Sequence, residues 1–438
     1  MSANTKTHRV VIVGGGAGGL ALATRLGNRF KRKNQVEVTL VDQSRTHIWK
    51  PLLHEIAAGS LNPDKEGLDY LAQARWHGFR FCLGKMDGID RQQKVIRVAP
   101  TLDEQGDVLV PRRDIAYDTL VIAVGSLTND FGTEGVKEHA ISLNTPAQAS
   151  LFHHRLVNAC VRASLQTDPM RPEQLHVTII GAGATGVELA AELRNTTREL
   201  VAYGRESINP DQDIKLTIIE AGERVLPALP PALSANAMKL LHKMNVEILT
   251  GERVTRVTRT LVETASGKQV PSELVVWAAG VKAPAFLAEL DGLEVNRINQ
   301  LLVTPALQTT KDEDIFVLGD SAACPNGTGW VPPRAQAANQ QARHMEQNFV
   351  RLMQGKPLQP FVYTDFGSLI SLGKYSTVGS LMSSLSRKSL FVQGQFARLM
   401  YLFLYGKHKM ALHGVCRTSM AAAGRLLTRR VEPHVKLH

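Results

Sequence analysis

Two glycine runs, each followed by a strand that ends in an acid, are the residues of this chain whose types and spacing could do chemistry. Residues 10–19 read V-V-I-V-G-G-G-A-G-G and residues 177–186 read V-T-I-I-G-A-G-A-T-G. Gly14, Gly16 and Gly19, and again Gly181, Gly183 and Gly186, fall on G-x-G-x-x-G directly after a β-branched run. In such a motif the first glycine permits a tight turn, the second lets the backbone approach a pyrophosphate, and the third lets helix pack on strand. Phosphates then sit at a helix N-terminus, where free N–H groups and the helix dipole favour anions. Asp42 and Glu220 end the following apolar segments, Val36–Asp42 and Ile214–Glu220, where a carboxylate accepts hydrogen bonds from a ribose. An acid there favours a free 2′-hydroxyl over a 2′-phosphate, hence NADH over NADPH at the second copy, although Arg224 lies close enough to weaken that preference. One motif of this kind implies one dinucleotide; two imply electron transfer between two.

Other groups add to this pair. Glu188 follows the last glycine of the second copy by two residues and is expected in the first helical turn, where the helix N-terminus favours a carboxylate. It reads either as a structural charge or as a group beside a nicotinamide. The segment Thr310–Asp320 is a short apolar strand ending in Gly319-Asp320, which with an early fingerprint points to FAD in the first site. His47 and His54 read as structural. Cys82, Cys160, Cys324 and Cys416 are scattered with no C-x-x-C, which argues against a metal site and a vicinal redox disulfide.

The elements that must position these residues follow the pattern β-α-β, repeated. A strand Arg9–Val13, a helix Leu20–Asn28 and a strand 36–42 form the first unit. Further strands are expected at Tyr117–Val124, Gln269–Ala279 and Asp314–Leu318. Residues 166–174 are polar, carry two prolines and read as a linker; 195–213 is a long polar stretch. The fold class is therefore α/β, with two Rossmann-type dinucleotide-binding domains and parallel sheets. The expected division is an FAD-binding domain of 1–165 and 281–365, an NADH-binding domain of 166–280, and a C-terminal membrane-association segment of 366–438.

Charge is unevenly placed. The net charge of +11 over 438 residues lies almost wholly in the tail: from Lys374 onward there are eleven Lys/Arg against Glu432 alone, while the rest carries 40 Lys/Arg and 39 Asp/Glu. Neither a signal peptide nor a membrane-spanning run is expected; the longest C-terminal apolar run is Leu399–Tyr405. Residues 389–430 read as one or two amphipathic helices lying on a membrane surface, with Arg398, Lys407, Lys409, Arg425, Arg429 and Arg430 near lipid phosphates. A nucleic-acid tail and a core helix are the other readings.

In these residues and their spacing the chain resembles the bacterial type II NADH:quinone oxidoreductases, single-subunit respiratory enzymes that do not pump protons. The resemblance runs through Asp42, His47–Glu55, Ala123–Ser126, Gly181–Leu189, Trp277–Gly280, Gly319-Asp320 and Pro332–Gln340, the last containing A-Q-x-A-x-Q. It implies non-covalent FAD held by Gly14, Gly16, Gly19, Asp42, Lys50, Gly125 and Asp320. It implies NADH held by Gly181, Gly183, Gly186, Glu188 and Glu220, with Glu188 near nicotinamide and flavin. Gln336 and Gln340 would line the quinone pocket, the quinone being ubiquinone, menaquinone or both. The implied location is peripheral, on the cytoplasmic face of the bacterial inner membrane, through 380–438 and anionic lipids, with room for a homodimer and no role for nucleic acid or metal. The rival readings are a sulfide:quinone reductase, which needs paired reactive cysteines, and an NADH- and flavin-binding interaction protein with little turnover.

Overall fold

A computed structural model describes residues 7–31, 35–203, 208–372, 376–382, 389–393, 419–420, 424 and 435–436. The chain forms two compact units, one of residues 1–49, 67–127 and 281–364, the other of 50–66, 128–280 and 365–438. The boundaries differ from the expected ones: residues 50–66 and the helix Pro146–Leu165 go with the second unit.

In the first unit five parallel strands stand in the order Ile315–Val317, Thr119–Ile122, His8–Val13, Val36–Asp42, Arg80–Leu83. The fingerprint strand is central, and Val10, Ile12, Leu120, Ile122 and Leu40 are fully buried. Burial on both faces explains why Val10–Val13, Thr119–Ile122 and Ile315–Val317 are continuous buried runs, whereas Val36–Asp42, nearer the sheet edge, alternates. The helix Gly19–Phe30 covers one face with Leu20, Leu22, Ala23 and Leu26. A three-stranded antiparallel sheet, Arg113–Ala116, Val95–Val98 and Met86–Asp90, is inserted before strand Thr119–Ile122.

The second unit repeats the plan. Its five parallel strands run Ala140–Ser142, Leu274–Trp277, His176–Ile180, Lys215–Glu220, Val246–Thr250, again with the fingerprint strand central. The helix Ala184–Ala202 follows the fingerprint, and Val254–Val257, Leu261–Thr264 and Gln269–Pro271 form the antiparallel insertion. Arg194, with no exposed surface, anchors the middle of this helix by donating to the carbonyls of Pro210, Ile214 and Asn245 at 2.6, 3.0 and 2.9 Å.

Several expectations change. The strand expected over Gln269–Ala279 is two strands, Gln269–Pro271 in the antiparallel sheet and Leu274–Trp277 in the parallel one. Ser272 makes the switch, its hydroxyl donating to the carbonyls of His176 and Leu274. Helix occupies the start of the polar stretch 195–213, because Asn195, Thr196 and Thr197 are buried and the threonine hydroxyls bond back to Leu193. In the C-terminal segment, Gly367–Leu372, Ser376–Met382 and Ser389–Gln393 form an antiparallel sheet, so residues 389–393 are strand rather than helix. The remainder of the expected amphipathic helices lies outside the described residues, apart from Ser419, Met420 and Gly424, which are helical. Among the described residues no helix is long and apolar enough to cross a membrane.

Candidate nucleotide sites and the buried glutamate

Each fingerprint makes the same turn. Gly14 and Gly181 sit at φ of +100° and +103°, in the region open to glycine. A Cβ on Gly19 would fall 1.8 Å from the Gly14 carbonyl oxygen, and one on Gly186 would fall 2.0 Å from that of Gly181. The third glycine of each copy is thus fixed by its own turn. The second is not: a Cβ on Gly16 or Gly183 would meet nothing within 4 Å. An open face on the middle glycine, beside a helix N-terminus, is what a pyrophosphate needs. Gly125, after the neighbouring strand, has the same open surround.

The acids have a job in the protein. Asp42 accepts from the Gly15 amide at 2.6 Å and the Ser44 amide at 2.7 Å. Glu220 accepts from the Ala182 amide at 2.7 Å and the Gly222 amide at 2.8 Å. Both carboxylates therefore hold the residue between the first two glycines. A carboxylate has lone pairs for about four partners, so capacity for ribose hydroxyls remains. Burial pushes Asp42 up from its ordinary value, and the two amides oppose this. Arg224, which could have met a 2′-phosphate, donates to the carbonyls of Leu229 and Pro227 at 2.7 and 2.8 Å.

Asp320 lies on a short 3-10 turn in the first unit and accepts from the Ser126 hydroxyl at 2.7 Å, while its carbonyl accepts from Gln300 at 2.9 Å. The helix Ala335–Met353 starts with Gln336 and Gln340 one turn apart. The Gln340 amide pairs with the Thr364 backbone, donating to its carbonyl at 2.8 Å and accepting from its N–H at 3.1 Å. Gln341 next to it accepts from Gly319 at 2.7 Å, which ties this helix to the Gly319-Asp320 turn. Lys50 is exposed and is the first residue of the second unit, directly after Trp49 of the first.

Glu188 departs from expectation. It is the fifth residue of the helix Ala184–Ala202, beyond the first turn, and it is 7% exposed. Burial, rather than the helix dipole, dominates its titration and pushes it up to about 8. The nearby Glu55 and Glu192 push the same way, and the Ser371 amide, donating at 2.9 Å, opposes them. Burial thus favours the protonated form of Glu188 near neutral pH. His54 approaches it to 3.8 Å through Nδ1 and reaches Glu55 at 4.0 Å through Nε2. Its Nδ1 donates to the Pro51 carbonyl at 2.8 Å, which sets the tautomer, and burial lowers it to about 4. The contact between His54 and Glu188 thus joins two neutral groups rather than an ion pair.

Sequence reading missed Tyr70, whose hydroxyl donates to the Gly15 carbonyl at 2.8 Å, and the roles of Ser126, Gln341 and Ser371. Ser126 stands beside Gly125 and Gln341 beside Gln340, so adjacency was a signal; Tyr70 and Ser371 carried none. Among the described residues no group of His, Cys, Asp and Glu could hold a metal ion.

The pyridine nucleotide-disulphide oxidoreductase family model matches residues 8–342. The type II NADH:quinone oxidoreductase of Haemophilus influenzae is 42% identical over 98% of this chain and 99% of its own length. The type II NADH:quinone oxidoreductase NdhA of Mycobacterium tuberculosis is 30% identical over 91% of this chain and 83% of its own. Among solved structures, NDH2 from Plasmodium falciparum in complex with NADH matches 98% of this chain and 100% of that chain with a TM-score of 0.82, at 18% identity.

Proposed function

We propose a function from the premise that the chain belongs to the type II NADH:quinone oxidoreductases, within the pyridine nucleotide-disulphide oxidoreductase family: it passes a hydride from NADH to a flavin and two electrons on to a quinone, without proton pumping. The flavin, which we take to be FAD, supplies the two-electron relay when bound. Gly14, Gly16, Gly19, Asp42, Gly125 and Asp320 would hold it. The open face of Gly16 and the Ser126-held Asp320 carboxylate support that assignment. Lys50 lacks such support.

Gly181, Gly183, Gly186 and Glu220 would hold NADH. Arg224 is tied to carbonyls and Glu220 sets a carboxylate at the strand end, an arrangement that repels a 2′-phosphate and supports NADH over NADPH. The observation that carries the reading is Glu188: a buried carboxyl one turn into the helix behind a complete second fingerprint, where burial raises its pKa and favours the protonated form. Such a group can donate a hydrogen bond or a proton at neutral pH. Gln336 and Gln340 would form a wall of the quinone pocket, and the pairing of Gln340 with Thr364 supports a role in shaping it. The basic tail would meet anionic lipid on the cytoplasmic face of the membrane, each cation contributing about 1 kcal/mol.

Purified protein, its released flavin identified, is assayed for NADH and NADPH oxidation with a ubiquinone analogue. Quinone-dependent loss of NADH, much faster than that of NADPH, is expected; no quinone-dependent loss would overturn the reading. A sulfide:quinone activity finds no support in the thiols, since Cys160 is buried and burial pushes Cys324 up to about 11, away from a reactive thiolate.

A further inference from the structure

Both ends of the C-terminal segment grip the surroundings of Glu188. At its start, the Ser371 amide on strand Gly367–Leu372 donates to the Glu188 carboxyl at 2.9 Å. At its end, Val435 is buried and Lys436 makes two main-chain hydrogen bonds. The Lys436 amide donates to the Gly59 carbonyl at 2.8 Å, and the Lys436 carbonyl accepts from His153 Nε2 at 2.9 Å. A carbonyl only accepts, so His153 carries its proton on Nε2. His153 is itself buried, on the helix Pro146–Leu165, and burial lowers its pKa. Gly59 is the left-handed C-cap of the helix Leu53–Ala58, and a Cβ there would fall 2.2 Å from the His153 ring. One residue near the chain end therefore ties the end of one helix to the face of another. The tied helix is the one that carries His54 and Glu55 beside Glu188.

We propose that the Val435–Lys436 clasp is a positioning element for Glu188: it holds the helix Leu53–Ala58, and with it His54 and Glu55, where that helix shields the Glu188 carboxyl from water. A helix of six residues has little stability of its own and depends on such packing. Among the described residues, the groups that face Glu188 are His54 and Glu55 from this helix, Glu192 from its own helix and the Ser371 amide from the strand. Releasing the clasp frees the C-cap, water reaches the carboxyl, and the burial that keeps it protonated is reduced. The consequence for turnover rests on the reading of Glu188 as the NADH-side carboxyl; the consequence for its titration does not.

The test uses full-length, flavin-loaded protein and follows the infrared band of the protonated Glu188 carboxyl, assigned by its loss in E188Q, against pH. Lys436→Pro removes the amide donor, and Lys436→Ala keeps it. In K436P the titration midpoint is expected to fall by at least about one pH unit, with K436A titrating as wild type. An unchanged midpoint in K436P, at wild-type thermal stability and flavin content, would overturn the proposal. If K436P does not fold, His153→Phe, which removes the donor to the Lys436 carbonyl at similar ring volume, replaces it with the same two outcomes. The pH profile of NADH oxidation with a soluble acceptor is expected to move with the infrared midpoint. A midpoint that moves under a fixed profile keeps the clasp and sinks the catalytic reading of Glu188.

Discussion

The two fingerprint units form the same set of hydrogen bonds with different residues. In each, the first glycine donates to the adjacent strand at 2.8 Å, the middle residue donates to the strand-end acid, and the third glycine is packed on the first. The carbonyl of the middle residue is where they part. Gly15 accepts from the Tyr70 hydroxyl, and a Cβ on Gly15 would fall 2.3 Å from that hydroxyl oxygen and 2.5 Å from the ring. Ala182 accepts instead from the backbone of Leu226 at 2.8 Å. The first turn is thus covered by a buried aromatic that stacks on Phe81, the second by a loop. A turn sealed by a rigid side chain suits a nucleotide that stays, and a turn closed by a backbone loop suits one that comes and goes. The second unit also holds the buried neutral acid.

The sharpest way to break the symmetry is at the third glycines. Gly19→Ala forces a Cβ onto a carbonyl and is expected to cost ~3 kcal/mol or more, with loss of bound flavin in the purified protein. Gly186→Ala is expected to cost as much locally, yet to leave flavin bound while abolishing NADH titration of the flavin spectrum. Equal flavin loss in both variants would refute the division of labour.

A second contrast lies in pH. Glu188 is raised from an ordinary 4.5 to about 8, so between these values the unfolded chain is ionised there and the folded one is not. Its contribution to stability is full below about pH 4.5 and is lost as pH rises toward 8. His47 and His54, lowered by burial from 6.5 to about 4, act oppositely: their neutral forms stabilise above pH 6.5, and that contribution is lost as pH falls toward 4. Denaturant midpoints across pH should show E188Q gaining on wild type as pH rises through this window, by about 1.4 kcal/mol per pH unit. A pH-independent difference would argue against a neutral buried acid.

A smaller effect separates the two covers. Tyr70→Phe removes one buried hydrogen bond to Gly15 and leaves that acceptor unpaired, at a cost of about 1–3 kcal/mol. It is expected to quicken flavin release without changing the NADH concentration at half-maximal rate. The smallest effect is expected on the surface of the second unit, where breaking the exposed Arg256–Glu134 pair should change stability by less than about 1 kcal/mol.

The fingerprints, their strand-end acids and the repeated α/β plan were legible in the residues, because glycine spacing and β-branched runs report local backbone requirements. The environment of Glu188 was not. Its position along a helix pointed to dipole stabilisation, whereas burial by the helix Leu53–Ala58 and the strand Gly367–Leu372 made it a neutral acid. The strand in 389–393 escaped sequence reading because an apolar, aromatic stretch fits either period when its partners are unknown. The single break at Ser272 was hidden for the same reason, since a sheet change leaves no local composition mark.

What the sequence determined by itself was the pair of turns: a Cβ at Gly19 or Gly186 is excluded by atoms five residues away, so the constraint is local and shows in the residue types. What only the tertiary structure decided was which groups surround each turn. Tyr70 lies 55 residues from Gly15, Ser371 lies 183 from Glu188, and His153 lies 283 from Lys436. Solvation and hydrogen bonding depend on distance in space, and separations of that order leave no periodicity to read.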